Sequence, residues 1–112
     1  MNVKSVSSNS FKGIDVSGVT QYYKPMVRNN FNELERLAKG YDVKISSKCV
    51  KDSNNKYLNA ILIESKPFNE IKTSNEALGV KTLYIPGRSI MNFVDSVKAN
   101  VSTLKENIKK FI

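Results

Sequence analysis

The chain has 112 residues, 40% of them hydrophobic and 25% charged, with 18 lysines and arginines against 10 aspartates and glutamates, a formal net charge of +8. That length supports one folding unit and no second core, and the composition excludes a chain disordered throughout. The absence of histidine removes the commonest general base and metal ligand, and the single cysteine, Cys49, permits neither an internal disulfide nor a thiolate cage.

Residues 1–20 are rich in Ser, Asn and Gly with isolated Val, Phe and Ile, and follow neither a helical nor a strand period. They read as a flexible or loosely docked segment that Phe11, Ile14 and Val16 would pin to the body, ahead of a single α+β domain over 21–112. No apolar run approaches the ~20 residues that span a bilayer, and the start lacks a signal-peptide core, so the chain is expected to be soluble and cytoplasmic, with no membrane partner.

Pro25 suits a first helical turn and Gly40 a left-handed C-terminal cap, and between them Val27, Phe31, Leu34 and Ala38 recur at helical spacing. These residues predict a helix over 25–39. From Tyr41 the period becomes two: Tyr41, Val43, Ile45, Ser47 and Cys49 alternate with Asp42, Lys44, Ser46 and Lys48, as in a half-buried strand with Cys49 on its apolar face. Asp52 to Asn55 form a polar turn, and the apolar run Tyr57 to Ile63 predicts an antiparallel return strand. Lys66 to Gly79 has no clear period; Asn75 to Leu78 could hold a helical turn. Val80 to Ile85 reads as a third strand stopped by Pro86 and Gly87.

The last element is predicted as a helix over 89–110, with Ile90, Val94, Val97, Val101, Leu104, Ile108 and Phe111 in a heptad seam. The fold expectation is therefore α+β: a small three-stranded antiparallel sheet flanked by an N-terminal helix and a long C-terminal helix, in the order α-β-β-β-α. That order resembles double-stranded-RNA-binding domains, a likeness implying contacts from the first helix, the first hairpin loop and the start of the last helix. It is also similar to small secretion chaperones and other dimeric binding modules.

No catalytic residue, metal ligand or cofactor site emerges. Without a histidine to activate it, Cys49 is expected to be a buried structural thiol, and the carboxylates Glu33, Asp42, Asp52, Glu64 and Asp95 have no diagnostic spacing. Asp52-Ser53-Asn54-Asn55 opens like a calcium loop, but Lys56 takes a ligand position and no closing glutamate follows, so a hairpin turn explains it better. Asn100-Val101-Ser102 fits a glycosylation pattern placed in mid-helix. Pro86-Gly87-Arg88-Ser89 leads into the long helix, where free N–H groups could hold an anion, against the simpler reading of a turn capped by Ser89.

Two functions follow as expectations. A helix of ~33 Å would overhang strands of ~20 Å and expose Val101, Leu104, Ile108, Phe111 and Ile112 to a protein partner or to a second copy in a homodimer. The chain would then be a non-enzymatic protein-interaction module. The alternative is nucleic-acid binding of the RNA type through Lys44, Lys48, Lys51, Lys56 and Arg88. Against it, the charge is spread along the chain, only three of the 18 basic residues are arginine, and edge lysines also serve to block sheet-to-sheet aggregation.

Overall fold

A computed structural model describes residues 13–67 and 78–111. Within them the order is β1 (Ile14–Gly18), a 3-10 turn (Gln21–Tyr23), α1 (Lys24–Asn29), α2 (Phe31–Ala38), β2 (Tyr41–Lys51), β3 (Tyr57–Pro67), β4 (Val80–Tyr84) and α3 (Phe93–Phe111). The four strands form one sheet in sequence order. β1 runs parallel to β2, and the β2–β3 and β3–β4 pairs are antiparallel.

The fold is α+β with a long C-terminal helix, but two details of the expected architecture are corrected. The sheet has four strands rather than three and is mixed rather than antiparallel. The extra strand, Ile14–Gly18, comes from the segment read as flexible or loosely docked. It was hard to see because it is only five residues long, and its pairing with β2 is formed across the intervening helices. With a strand in front of the first helix, the order is no longer that of the double-stranded-RNA-binding domains. Phe11, Ile112 and the stretch at 68–77 that held the possible helical turn lie outside the described residues.

The helix expected over 25–39 is broken in two at Asn30, whose φ of −114° and ψ of 11° leave the helical region. Its side-chain amide donates to the Met26 carbonyl (2.8 Å) and its own carbonyl accepts from Leu34 N–H (3.0 Å), so the break is bonded on both sides. The predicted stripe survives the break, with Val27, Leu34 and Ala38 buried and Phe31 packed against the core. Gly40 adopts φ +92° just past the end of α2, a conformation that would strain a residue with a Cβ.

Both helical layers lie on one face of the sheet. The alternate residues Val43 and Ile45 of β2 and Ile61 and Ile63 of β3 point into that face and meet Leu34, Val97 and Val101. Each such side chain, almost fully buried, contributes about 1.5–3 kcal/mol relative to exposure. Between α3 and β3–β4 sits a buried polar cluster. Asn100 donates through its amide to the Ile63 carbonyl (3.1 Å), the Val80 carbonyl (3.3 Å) and Thr82 Oγ1 (2.8 Å), while its Oδ1 accepts from the Ser65 hydroxyl. Asn100 is 1% exposed, so its side chain is closed to glycosylation in the folded protein.

The opposite face carries a row of alternating charge that crosses all four strands. Asp15 is level with Lys44, Lys44 with Glu64, and Glu64 with Lys81, whose Nζ lies 3.8 Å from the Glu64 carboxylate. Asp42 and Lys66 form the adjacent cross-strand pair. Such pairs each contribute a few tenths of a kcal/mol to about 1 kcal/mol.

Candidate interaction surface

β2 and β3 are each 11 residues long, about 36 Å at the rise of an extended strand, whereas the 19 residues of α3 span about 28 Å. The expected overhang is therefore inverted, with the strands outrunning the helices. Pairing with β1 stops at Ser46 of β2, and pairing with β4 starts at Ile61 of β3. Among the described residues, the outer part of the hairpin, Lys48–Lys51 with Tyr57–Ala60, is a two-stranded ribbon beyond the rest of the sheet.

The ribbon is closed by a compact turn. Asn55 N–H donates to the Asp52 carbonyl (3.1 Å), Asn55 takes φ +64°, and the Asp52 carboxylate accepts from the N–H groups of Asn54 (2.8 Å) and Lys56 (3.0 Å). These donors, the Lys56 N–H first, together with the charge of Arg88 3.6 Å away, hold the Asp52 carboxyl below its ordinary pKa. The Asp52-Ser53-Asn54-Asn55 stretch is thus a hairpin turn. Among the described residues no three Asp, Glu, His or Cys side chains gather in a way that could hold a metal ion.

On the helix side, the ribbon and the 3-10 turn enclose an open bay of about 260 Å³ lined by Thr20, Tyr22, Tyr23, Ser47, Cys49 and Asn59 among others. Ser47 anchors its rim, its hydroxyl accepting from Thr20 N–H (2.9 Å) and donating to Thr20 Oγ1 (3.2 Å). Tyr22 meets Tyr23 edge to face at 4.9 Å and remains 79% exposed. Burial raises the Tyr23 phenol above its ordinary pKa. Further out, Tyr57 is 70% exposed, with the Lys51 ammonium 5.1 Å from its ring centroid. Cys49, expected to be buried, is exposed, because the apolar face of β2 continues past the end of its helical cover.

Of the residues assigned to partner binding on the long helix, the two at its centre lie in the core. Val101 and Leu104 are buried in the core at 2% and 0% exposure, so they are not exposed apolar surface. Ile108 is half-buried, and Phe111 is exposed. The helix starts at Phe93 rather than Ser89, which leaves Ile90 and Met91 exposed in the loop before it. Its cap is Asn92, whose side chain accepts from Asp95 N–H (2.8 Å), while the Ser89 hydroxyl closes the preceding turn by accepting from Ile85 N–H (2.8 Å). The N–H groups of Arg88 and Ser89 donate to the Ile85 carbonyl (3.0 and 2.9 Å), which removes them from the anion cradle considered for this segment.

The five basic residues of the alternative reading are divided. Lys44 stands in the charge row between Asp15 and Glu64, and Lys48 shares its face. Lys51 is on the helix side, Lys56 is in the turn, and Arg88 reaches the turn through Asp52. What the structure gathers at the hairpin end is Lys48, Lys51, Lys56 and Arg88 with the exposed Tyr22 and Tyr57. The two tyrosines were missed in the sequence. The strand period places Tyr57 on the same side as Ile61, but whether a helix covers that position depends on relative element lengths.

No family model, curated protein or solved structure matches the chain. Among the described residues, no helix is long and apolar enough to cross a membrane.

Proposed function

We propose that this protein is a non-enzymatic protein-interaction module whose working surface is the hairpin end, not the seam of its C-terminal helix. The observation that carries this reading is the bay beside the outer hairpin, lined by the exposed Tyr22 with Lys48, Cys49 and Asn59, and the exposed Tyr57 with Lys51 further out along the same ribbon. Tyrosines fixed on a scaffold offer a large contact area at small entropic cost, and they are enriched where proteins meet. The helix seam supports this role less well, since its centre is spent on the core. Nucleic-acid binding is the second reading, because exposed aromatics among lysines also suit stacked bases. The division of the basic residues between two faces, and the pairing of Lys44 with carboxylates, weigh against it.

The test is selection of a random 12-residue peptide library against the protein, followed by binding of the selected peptides to wild type and to Y22A/Y57A, whose circular dichroism is checked for an unchanged fold. In parallel, fluorescence anisotropy follows labelled duplex RNA, single-stranded RNA and duplex DNA at low and near-physiological salt. Peptides that bind wild type and lose affinity for Y22A/Y57A are the expected result, with nucleic-acid binding that fades at physiological salt for all three. Nucleic-acid binding that survives that salt and prefers one form, or failure to select any peptide, overturns the proposal.

A further inference from the structure

The backbone of the outer hairpin defines what kind of partner segment the surface can take. Val43 N–H donates to the Gly13 carbonyl (2.8 Å), so the backbone groups of Val43 point away from β3, towards the β1 side. β2 pairs with β3 without a bulge from Tyr41 to Lys51, and Asp52 N–H continues the alternation by donating to the Lys56 carbonyl (2.9 Å). In an antiparallel ladder this orientation alternates along the strand. Ile45, Ser47, Cys49 and Lys51 therefore also turn their N–H and C=O groups outward, while Lys48 and Val50 bond to β3.

β1 satisfies the outward groups only in the lower part of β2. At Gly18 the two strands come so close that a Cβ there would lie 2.9 Å from the Ser46 Cβ, and the chain then leaves the sheet. Val19 N–H donates back to the Val16 carbonyl (3.1 Å), and Thr20 lies over the Ser47 hydroxyl. Alongside Cys49 and Lys51, the line of β1 continues with no strand of the described residues in it.

We propose that an extended acidic segment of a partner protein occupies this line as an added strand alongside Ser47–Lys51. The inference rests on the interaction reading above and specifies its partner. Main-chain bonds to Cys49 and Lys51 supply the register, and alternate side chains of the incoming strand fall on the two faces of the sheet. One face offers Lys48 and the other Lys51 and the tyrosine bay, with Lys56 at the tip, so both rows of the segment meet a cation. Asp52, the carboxylate of the hairpin itself, is engaged by its own turn and by Arg88. A second copy of the chain fits less well, since joining two β2 edges brings together two ribbons that carry Lys48, Lys51 and Lys56 and supply no free carboxylate beyond the engaged Asp52.

The probe is an acetylated, amidated nonapeptide in which pairs of glutamates alternate with pairs of valines, so that both faces of the added strand carry carboxylates, titrated into the isotope-labelled protein and followed by amide NMR shifts and hydrogen exchange. Controls carry lysine for glutamate, or N-methyl groups on alternate backbone amides in either of the two phases. Saturable binding is expected, with the Cys49 and Lys51 amides shifting and becoming protected while those of Lys48 and Val50 stay in place. One N-methyl phase should weaken binding by about tenfold or more and the other leave it nearly unchanged. The lysine peptide should not bind. If both N-methyl phases bind as the parent does, strand addition is wrong while the tyrosine surface stands. If the nonapeptide shifts no hairpin amide although Y22- and Y57-dependent peptides have been selected, the strand proposal alone fails; if no peptide binds by either route, both fail. Protection of Cys49 without peptide, together with a concentration-dependent dimer in sedimentation, would assign the edge to a second copy and overturn the proposal.

Discussion

The two halves of the β2–β3 hairpin have the same backbone and opposite circumstances. Around Val43, Ile45, Ile63 and Ser65 it has strands on both sides, helices above and a buried asparagine tying the layers together. Around Cys49 and Asn59, the same alternation of residues faces solvent. The difference teaches that a strand's two-residue period identifies a face but not what covers it. Cover is decided by where the neighbouring strands and helices stop, and here they stop about halfway along.

Substitutions should respond to that division. The largest effect is expected from L104K, which buries a charge at a fully buried site and should cost about 4 kcal/mol or more, a large share of a typical domain's stability. F111K and C49S, at exposed positions of the same helix and the same hairpin, should stay within about 0.5 kcal/mol. Urea denaturation followed by circular dichroism measures all three, and a mild L104K would mean that the helix seam is not the core element described.

N100A comes next, at about 2–4 kcal/mol, because it strips partners from the buried Ser65 hydroxyl and from Thr82 in a low-dielectric layer. Its amide-exchange signature should be confined to α3, β3 and β4, with the outer hairpin little altered. Loss of protection that is equal everywhere would erase the distinction between the halves.

The smallest effect belongs to the turn. The folded-state pKa of Asp52 is depressed, so its carboxylate supports the turn fully above the ordinary aspartate value of ~3.9 and loses that support as pH falls through the lowered value. Amide exchange at Asn54 and Lys56 should therefore quicken in acid, relative to the intrinsic rate, in wild type, and D52N should flatten that pH dependence. A D52N profile identical to wild type would remove the carboxylate from the account of the turn.

Much of the fold was readable from residue spacing. Val27, Leu34 and Ala38 marked one buried helix stripe, Gly40 its end, and Asp52–Asn55 the hairpin. What escaped were features set by long-range geometry. Ile14–Gly18 has too few residues to show a period and pairs with a strand beyond the first two helices. Asn30 interrupts a helix while leaving its apolar spacing unbroken. Strands of ~20 Å would leave Leu104 beyond the sheet, whereas an 11-residue pair puts the projecting end on the opposite side of the molecule. Tyr57, at the outer end of that pair, is a surface residue for the same reason that Leu104 is core.

The row of alternating charge on the sheet face away from the helices also guards the hairpin against misassembly. A slip of two residues keeps every side chain on its proper face, so the hydrophobic pattern alone discriminates weakly against it. Moved one way, β3 would set Lys66 opposite Lys44; moved the other way, it would set Glu64 opposite Asp42, because the native partners are Lys44 with Glu64 and Asp42 with Lys66. Either error places like charges side by side. Asp42, Lys44, Glu64 and Lys66 thus favour the native strand alignment twice, by attraction when it forms and by repulsion when it does not.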